Sequence, residues 1–228
     1  MTDFLQTLWI TFKLAGLTTI ILLVVCLPII YSLTFCRFIL KPIIEALISM
    51  PMVLPPSVIG YYILVLYSPR NAFGAWLSSH FNINLAFSFS GILIASILFS
   101  LPFMVQPLLS GLRSLPDSLS EASFTLGKSK TITFFKVLLP NIKPSIITAI
   151  ALTFAHCIGE FGLLLMVGGN IQGETRVASI AIYDEVQELN FNAANQYAFI
   201  LFAISFILLS LIYAANKKNE VWLSLIHI

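Results

Sequence analysis

The sequence predicts an all-α integral membrane protein with about five transmembrane helices and a helical hairpin on the cytoplasmic side. Three observations carry this expectation. The 228 residues are 58% hydrophobic and 10% charged, with a mean hydropathy of +0.96, whereas an ordinary soluble domain has roughly 25% charged residues. The charges are also grouped: Leu14–Cys36, Ala46–Pro69, Ser145–Gly159 and Leu189–Asn216 contain no Asp, Glu, Lys or Arg, and about 20 apolar residues suffice to cross a bilayer as a helix. Finally, a basic, partly polar segment, residues 121–140, stands between two of the apolar spans.

The spans are expected near 10–35, 43–67, 86–110, 144–167 and 197–215. The first reads as a retained helix, because Asp3 precedes the first Lys and no small-residue cleavage pattern follows. The second contains Pro51, Pro55 and Pro56. Each lacks an N–H, and in lipid the carbonyl freed one turn back must find another helix or a water-filled cavity. This span is therefore expected to kink or break near Pro55. Either it lines a path, with the Ser57 hydroxyl and opened backbone dipoles facing an anion, or the kink is a packing device beside Gly60. Before the third span, His80 is the sole ionisable residue between Arg70 and Arg113.

The fourth span holds Glu160, flanked by Gly159 and Gly162. An ionised carboxylate there costs about 2.5–3.5 kcal/mol, so it should face protein or water. In a continuous helix His156, four residues earlier, lies on the same face and within reach of it. Two such ligands are too few for a metal site. Cys26, Cys36 and Cys157 lack metal-binding or redox spacing and read as small apolar core residues.

Orientation follows from the retention of Lys and Arg on the cytoplasmic side. With the N-terminus outside and the C-terminus inside, Arg37, Lys41, Arg113, Lys128, Lys130, Lys136, Lys143, Lys217 and Lys218 face inward. Lys13, Arg70 and Arg176 remain outside, the last in an acidic loop with Glu174, Asp184, Glu185 and Glu188. Residues 1–222 are expected to form one transmembrane domain. Leu223–Ile228 resembles a translated sequencing adapter, and these residues, His227 included, carry no functional argument.

Between the third and fourth spans, within about 113–143, Pro116-Asp117 breaks the chain and Ser118 or Ser120 is placed to cap a helix with Glu121 in its first turn. Gly127 suits a left-handed turn. A second helix is expected over 131–138, apolar at Ile132, Phe135, Val137 and Leu138, before Pro140 and Pro144. Gly127-Lys128-Ser129 mimics the end of a phosphate-binding loop, but Ala122 stands where that loop needs Gly and a membrane helix precedes it where a strand is needed. No nucleotide site is predicted.

The spacing Glu121-Ala122-Ser123, three residues, Gly127, nine residues, Val137, one residue, Leu139-Pro140 resembles the EAA loop of ABC importer permease subunits, with Ser123 for Ala and Val137 for Ile. The resemblance implies a type I importer permease fold in a bacterial cytoplasmic membrane, with residues 121–127 as the coupling helix that docks on an ATPase. Met50-Pro51-Met52-Val53-Leu54-Pro55-Pro56-Ser57-Val58-Ile59-Gly60-Tyr61 and Gly159-Glu160-Phe161-Gly162, with Asn170-Ile171 and Gly173-Glu174-Thr175-Arg176, are similar to segments of molybdate permeases. Sulfate and thiosulfate permeases share parts of these patterns.

By that resemblance the chain is a non-catalytic subunit that holds no cofactor and no metal. Its expected partners are a second copy of itself, two cytoplasmic ATPase subunits, an outer molybdate-binding protein and membrane lipid, with no nucleic acid. A homodimer also meets a physical need, since five spans are too few to enclose a path for a hydrated dianion. Residues 168–196 either form part of the binding-protein docking face or are a solvated loop. The expected path or gate residues are Pro55, Pro56, Ser57, Gly60, Gly159, Glu160 and Gly162. Glu160 is expected to pair with a neighbouring helix, because a carboxylate repels a dianion. Competing classes fare worse: an ion-coupled transporter needs more intramembrane ionisable residues than Glu160 and His156, and a membrane enzyme needs a motif such as HExxH or GxSxG, which the chain lacks.

Overall fold

A computed structural model describes residues 2–36 and 39–226, with side chains described for 3–36 and 39–214. Arg37, His227 and Ile228 lie outside the described residues, as do the side chains of Lys217 and Lys218. Among the described residues every regular element is a helix.

Helix α1 (Thr2–Phe35) forms the first span as one rod. The second span is broken, as its prolines require. α2 (Lys41–Ser49) and a 3-10 turn at Met50–Met52 meet α3 (Pro56–Tyr67) at 106°. Pro55 is the N-cap of α3, where a missing N–H costs nothing. A short helix, α4 (Ala72–Phe81), capped by Asn71, leads to α5 (Phe89–Arg113). The sequence reading gave α4 no element. Its hydrophobic residues Phe73, Trp76 and Phe81 are exposed, the pattern of a helix at a membrane interface.

The hairpin comprises α6 (Ser118–Thr125), α7 (Lys130–Thr133), a π-turn at Phe134–Leu138 and α8 (Leu139–Asn141). Then α9 (Lys143–Gly159) and α10 (Gly162–Gly168) make up the fourth span. At 17 residues α9 is about 25 Å long, short of the roughly 30 Å hydrocarbon core, and α10 supplies the rest. Helix α11 (Ala178–Gln187) precedes α12 (Phe191–Ile226). The five expected spans thus appear as three unbroken helices, α1, α5 and α12, and two interrupted ones.

The buried centre is α5, on which α1, α9 and α10 pack. Leu22, Cys26 and Ile30 of α1 meet Met104, Val105 and Leu108 of α5 and Ala149 of α9 in one apolar cluster. A second, nearer the N-terminal end of α5, joins Leu14, Ile92, Phe99, Leu163 and Leu164. Cys26 and Cys157 lie in the core as expected, but Cys36, at the end of α1, is exposed. Lys13 extends along α1 to place its Nζ 4.4 Å from the centre of the Phe89 ring, a cation–π contact.

Candidate functional site

The first candidate surface is the hairpin. Helix α6 starts at Asp117, whose side chain makes no capping bond. Ser120 does not cap it either, since its hydroxyl donates back to the Asp117 carbonyl at 2.9 Å. The expected Ser118 or Ser120 cap is therefore replaced by a turn held by backbone bonds. Gly127 adopts φ +73° with open space around its missing Cβ, so the requirement for Gly is purely conformational. Ser129 then caps α7, accepting from the Ile132 N–H at 3.3 Å. The three residues that mimic a phosphate loop build this turn.

Of the four apolar positions noted in the second arm, only Leu138 is buried. Phe134 and Leu138 point inward, while Ile132 and Phe135 are exposed and Val137 is half-buried. The π-turn adds a residue to the helical pitch and shifts the apolar register. Phe134 is sealed against Tyr31, at a ring-centre distance of 5.3 Å, and against Phe35 at 6.3 Å. These rings pin the hairpin to the end of α1. The arms are joined by a buried bond of 2.8 Å between the Ser123 and Thr133 hydroxyls. Gly111 permits close packing behind the hairpin, since a Cβ there would lie 2.3 Å from Ser145 Oγ. Glu121, Ala122, Gly127 and Pro140 are exposed and Leu139 is half-buried. Phe124 and Leu126 are 40% and 76% exposed. These two apolar residues were not singled out from the sequence, although they lie between the motif positions.

The second candidate lies where the two broken spans meet. Pro56, Ser57, Phe99, His156, Gly159, Glu160 and Gly162 line a cavity of about 520 Å³. It brings together five of the expected path residues. Gly60 lies apart from it: its missing Cβ would sit 2.9 Å from Met166 Cβ, which makes it a close-packing position between α3 and α10. Pro55 only starts α3.

Helix α9 stops at Gly159, and Glu160 leaves it in extended backbone at φ −68°, ψ 125°. That break removes the i, i+4 geometry on which a His156–Glu160 pair depended. His156 instead stacks on Phe103, with ring centres 3.9 Å apart. Glu160, only 4% exposed, accepts a bond from Ser96 of α5 to Oε2 at 2.7 Å, while Oε1 has no partner. Pairing with a neighbouring helix is therefore what the structure has, through Ser96. A polar residue in an apolar span was the available signal for Ser96, and equally for Ser100 and Gln106, which bond Cys157 and Ser49.

Over residues 24–218 the chain matches the family described as "Binding-protein-dependent transport system inner membrane component". It is 39% identical over 214 residues to the molybdenum transport system permease protein ModB of Azotobacter vinelandii, covering 93% of this chain and 94% of that protein. It is 34% identical over 179 residues to the sulfate transport system permease protein CysT of Escherichia coli, covering 78% and 64%. Its fold is similar to that in the crystal structure of a bacterial alginate ABC transporter in complex with its alginate-bound periplasmic protein, with a TM-score of 0.76 at 16% identity over 96% of this chain and 80% of that one. The chain therefore belongs to the inner-membrane permease components of binding-protein-dependent ABC importers.

Proposed function

We propose that the chain translocates molybdate as one half of a permease homodimer driven by two cytoplasmic ATPase subunits and supplied by an outer oxyanion-binding protein. The observation that favours molybdate is end-to-end likeness to a molybdenum permease, which covers 94% of that protein against 64% of the sulfate permease. Sulfate is the second reading, favoured by the 34% identity with the latter.

The hairpin is the expected contact for the ATPase, with Glu121, Ala122, Ser123 and Gly127 setting its first arm and Val137, Leu139 and Pro140 its second. Phe124 and Leu126 are an apolar surface for a partner to cover. Because aromatic packing fixes the hairpin to α1, a force on it moves the span as well. The N-out, C-in orientation rests on charge: Lys41, Arg113, Lys128, Lys130, Lys136 and Lys143 lie at the hairpin end, and retention of basic residues inside puts that end in the cytoplasm.

The cavity at the two breaks is the expected gate. Ser57 offers a hydroxyl and its own N–H at the start of α3, which suit an anion, while the next two N–H groups are taken by the Pro55 carbonyl. The Glu160 carboxylate is engaged by Ser96. Release on the inner side requires weak binding here, so selectivity belongs chiefly to the binding protein. The test is ATP-dependent uptake of molybdate, tungstate and sulfate into vesicles containing the permease, the ATPase and the binding protein. Molybdate uptake that excess sulfate does not suppress supports the reading, and sulfate uptake with molybdate excluded refutes it.

A further inference from the structure

The outer helix α11 is bonded directly to the break in the fourth span. Ser179, in its first turn, donates to the Glu160 carbonyl at 2.5 Å. One turn later the Tyr183 ring lies 5.1 Å from that of Phe161. The Glu160 carbonyl has left the helical ladder, and the Ser179 hydroxyl supplies a partner that the interrupted helix cannot. Across the same residue, Ser96 of α5 holds the side chain. Glu160 is thus gripped by α5 on one side and by α11 on the other.

Helix α11 is itself braced as a stiff body. The Ala178 N–H donates to Thr11 Oγ1 of α1 at 2.8 Å, and Asn170 Nδ2 donates to Asp184 at 2.6 Å. Arg176 lies 3.6 Å from Asp184 and 3.7 Å from Glu185. Tyr183, Val186 and Gln187 are exposed, and Gln187 Nε2 donates to the Tyr183 hydroxyl at 2.6 Å. The exposed outer residues therefore connect, through Tyr183 and Ser179, to the two non-helical residues that separate α9 from α10.

We propose that Ser179 is a positioning residue of the transport cycle: its bond to Glu160 passes movement of α11, set by the soluble partner at the outer end, to the break that lines the cavity. This rests on the proposed function for the existence of that partner. Substrate delivery outside thereby reaches the gate through this hydroxyl, beside the Tyr183–Phe161 ring contact, and the gate in turn biases α11.

The test is ATP hydrolysis by the assembled permease–ATPase complex in lipid nanodiscs, without and with oxyanion-loaded binding protein. Ser179→Ala is expected to leave complex yield and basal hydrolysis unchanged and to cut stimulation by at least about five-fold, the lower end of ordinary site-to-site coupling. Ser179→Thr, which keeps the hydroxyl, is expected to restore it. Undiminished stimulation in Ser179→Ala overturns the proposal, as does a loss that Ser179→Thr fails to restore. Failure of the substrate reading is seen separately: wild-type complex that responds only to sulfate-loaded protein refutes molybdate, and Ser179 is then scored with that protein.

Discussion

At the scale of single residues, two buried polar contacts decide how the protein tolerates change. Ser123 and Thr133 bond each other inside the hairpin. Thr133→Val leaves Ser123 buried without that partner, and an orphaned hydroxyl costs about 1–3 kcal/mol. Ser123→Ala restores the Ala of the related loops and is expected to cost less. Thermal unfolding of the purified complex measures both, and equal losses would contradict the argument. Glu160 behaves similarly. Glu160→Gln keeps an acceptor for Ser96 and is expected to retain assembly and most uptake, whereas Glu160→Leu strands the Ser96 hydroxyl at a cost of about 1–3 kcal/mol. Failure of Glu160→Gln to transport, with assembly intact, would show that the charge itself is needed.

At the scale of elements, the hairpin turn and the close approach of α3 to α10 each depend on a glycine, for different reasons. Gly127 has room for a side chain but a left-handed backbone, so Gly127→Val is expected to destabilise the turn by about 1–2 kcal/mol, and Gly127→Asn by less, because Asn tolerates that region. ATP-driven uptake ranks the variants, and Asn no better than Val would contradict the backbone explanation. Gly60 has an ordinary backbone but no room, since Met166 and Leu163 crowd it. Gly60→Val overpacks that contact by about 1–3 kcal/mol, read as lost yield of folded protein.

These elements also show what the sequence could and could not disclose. The break after Pro55, the Gly127 turn and the position of Glu160 follow from local chemistry: a missing N–H, a missing Cβ, a charge in lipid. Which face of 131–138 is buried does not follow, because a π-turn changes the pitch by a residue without a compositional signal. The His156–Glu160 pair failed for a related reason, since helical spacing predicts contacts only while the helix continues, and α9 ends at Gly159. Helix α4 was illegible as a span because at 10 residues it is too short to cross. The bonds from Ser96 and Ser179 to Glu160 depend on tertiary packing, and neither serine was singled out from the sequence.

At the scale of the whole molecule, the parts form a line of mechanical contact. An exposed hairpin at one end is pinned by aromatic rings to α1. Next to α1 lies α5, whose Ser96 holds the break in the fourth span, and that break is tied to α11. In the proposed function a separate ATPase supplies the energy that drives this line. The most direct measurement is molybdate uptake into vesicles carrying the permease and loaded binding protein, with the ATPase subunit present or omitted. Uptake only when both ATPase and ATP are present is the predicted result. Sustained transport against a gradient with the ATPase omitted would contradict it.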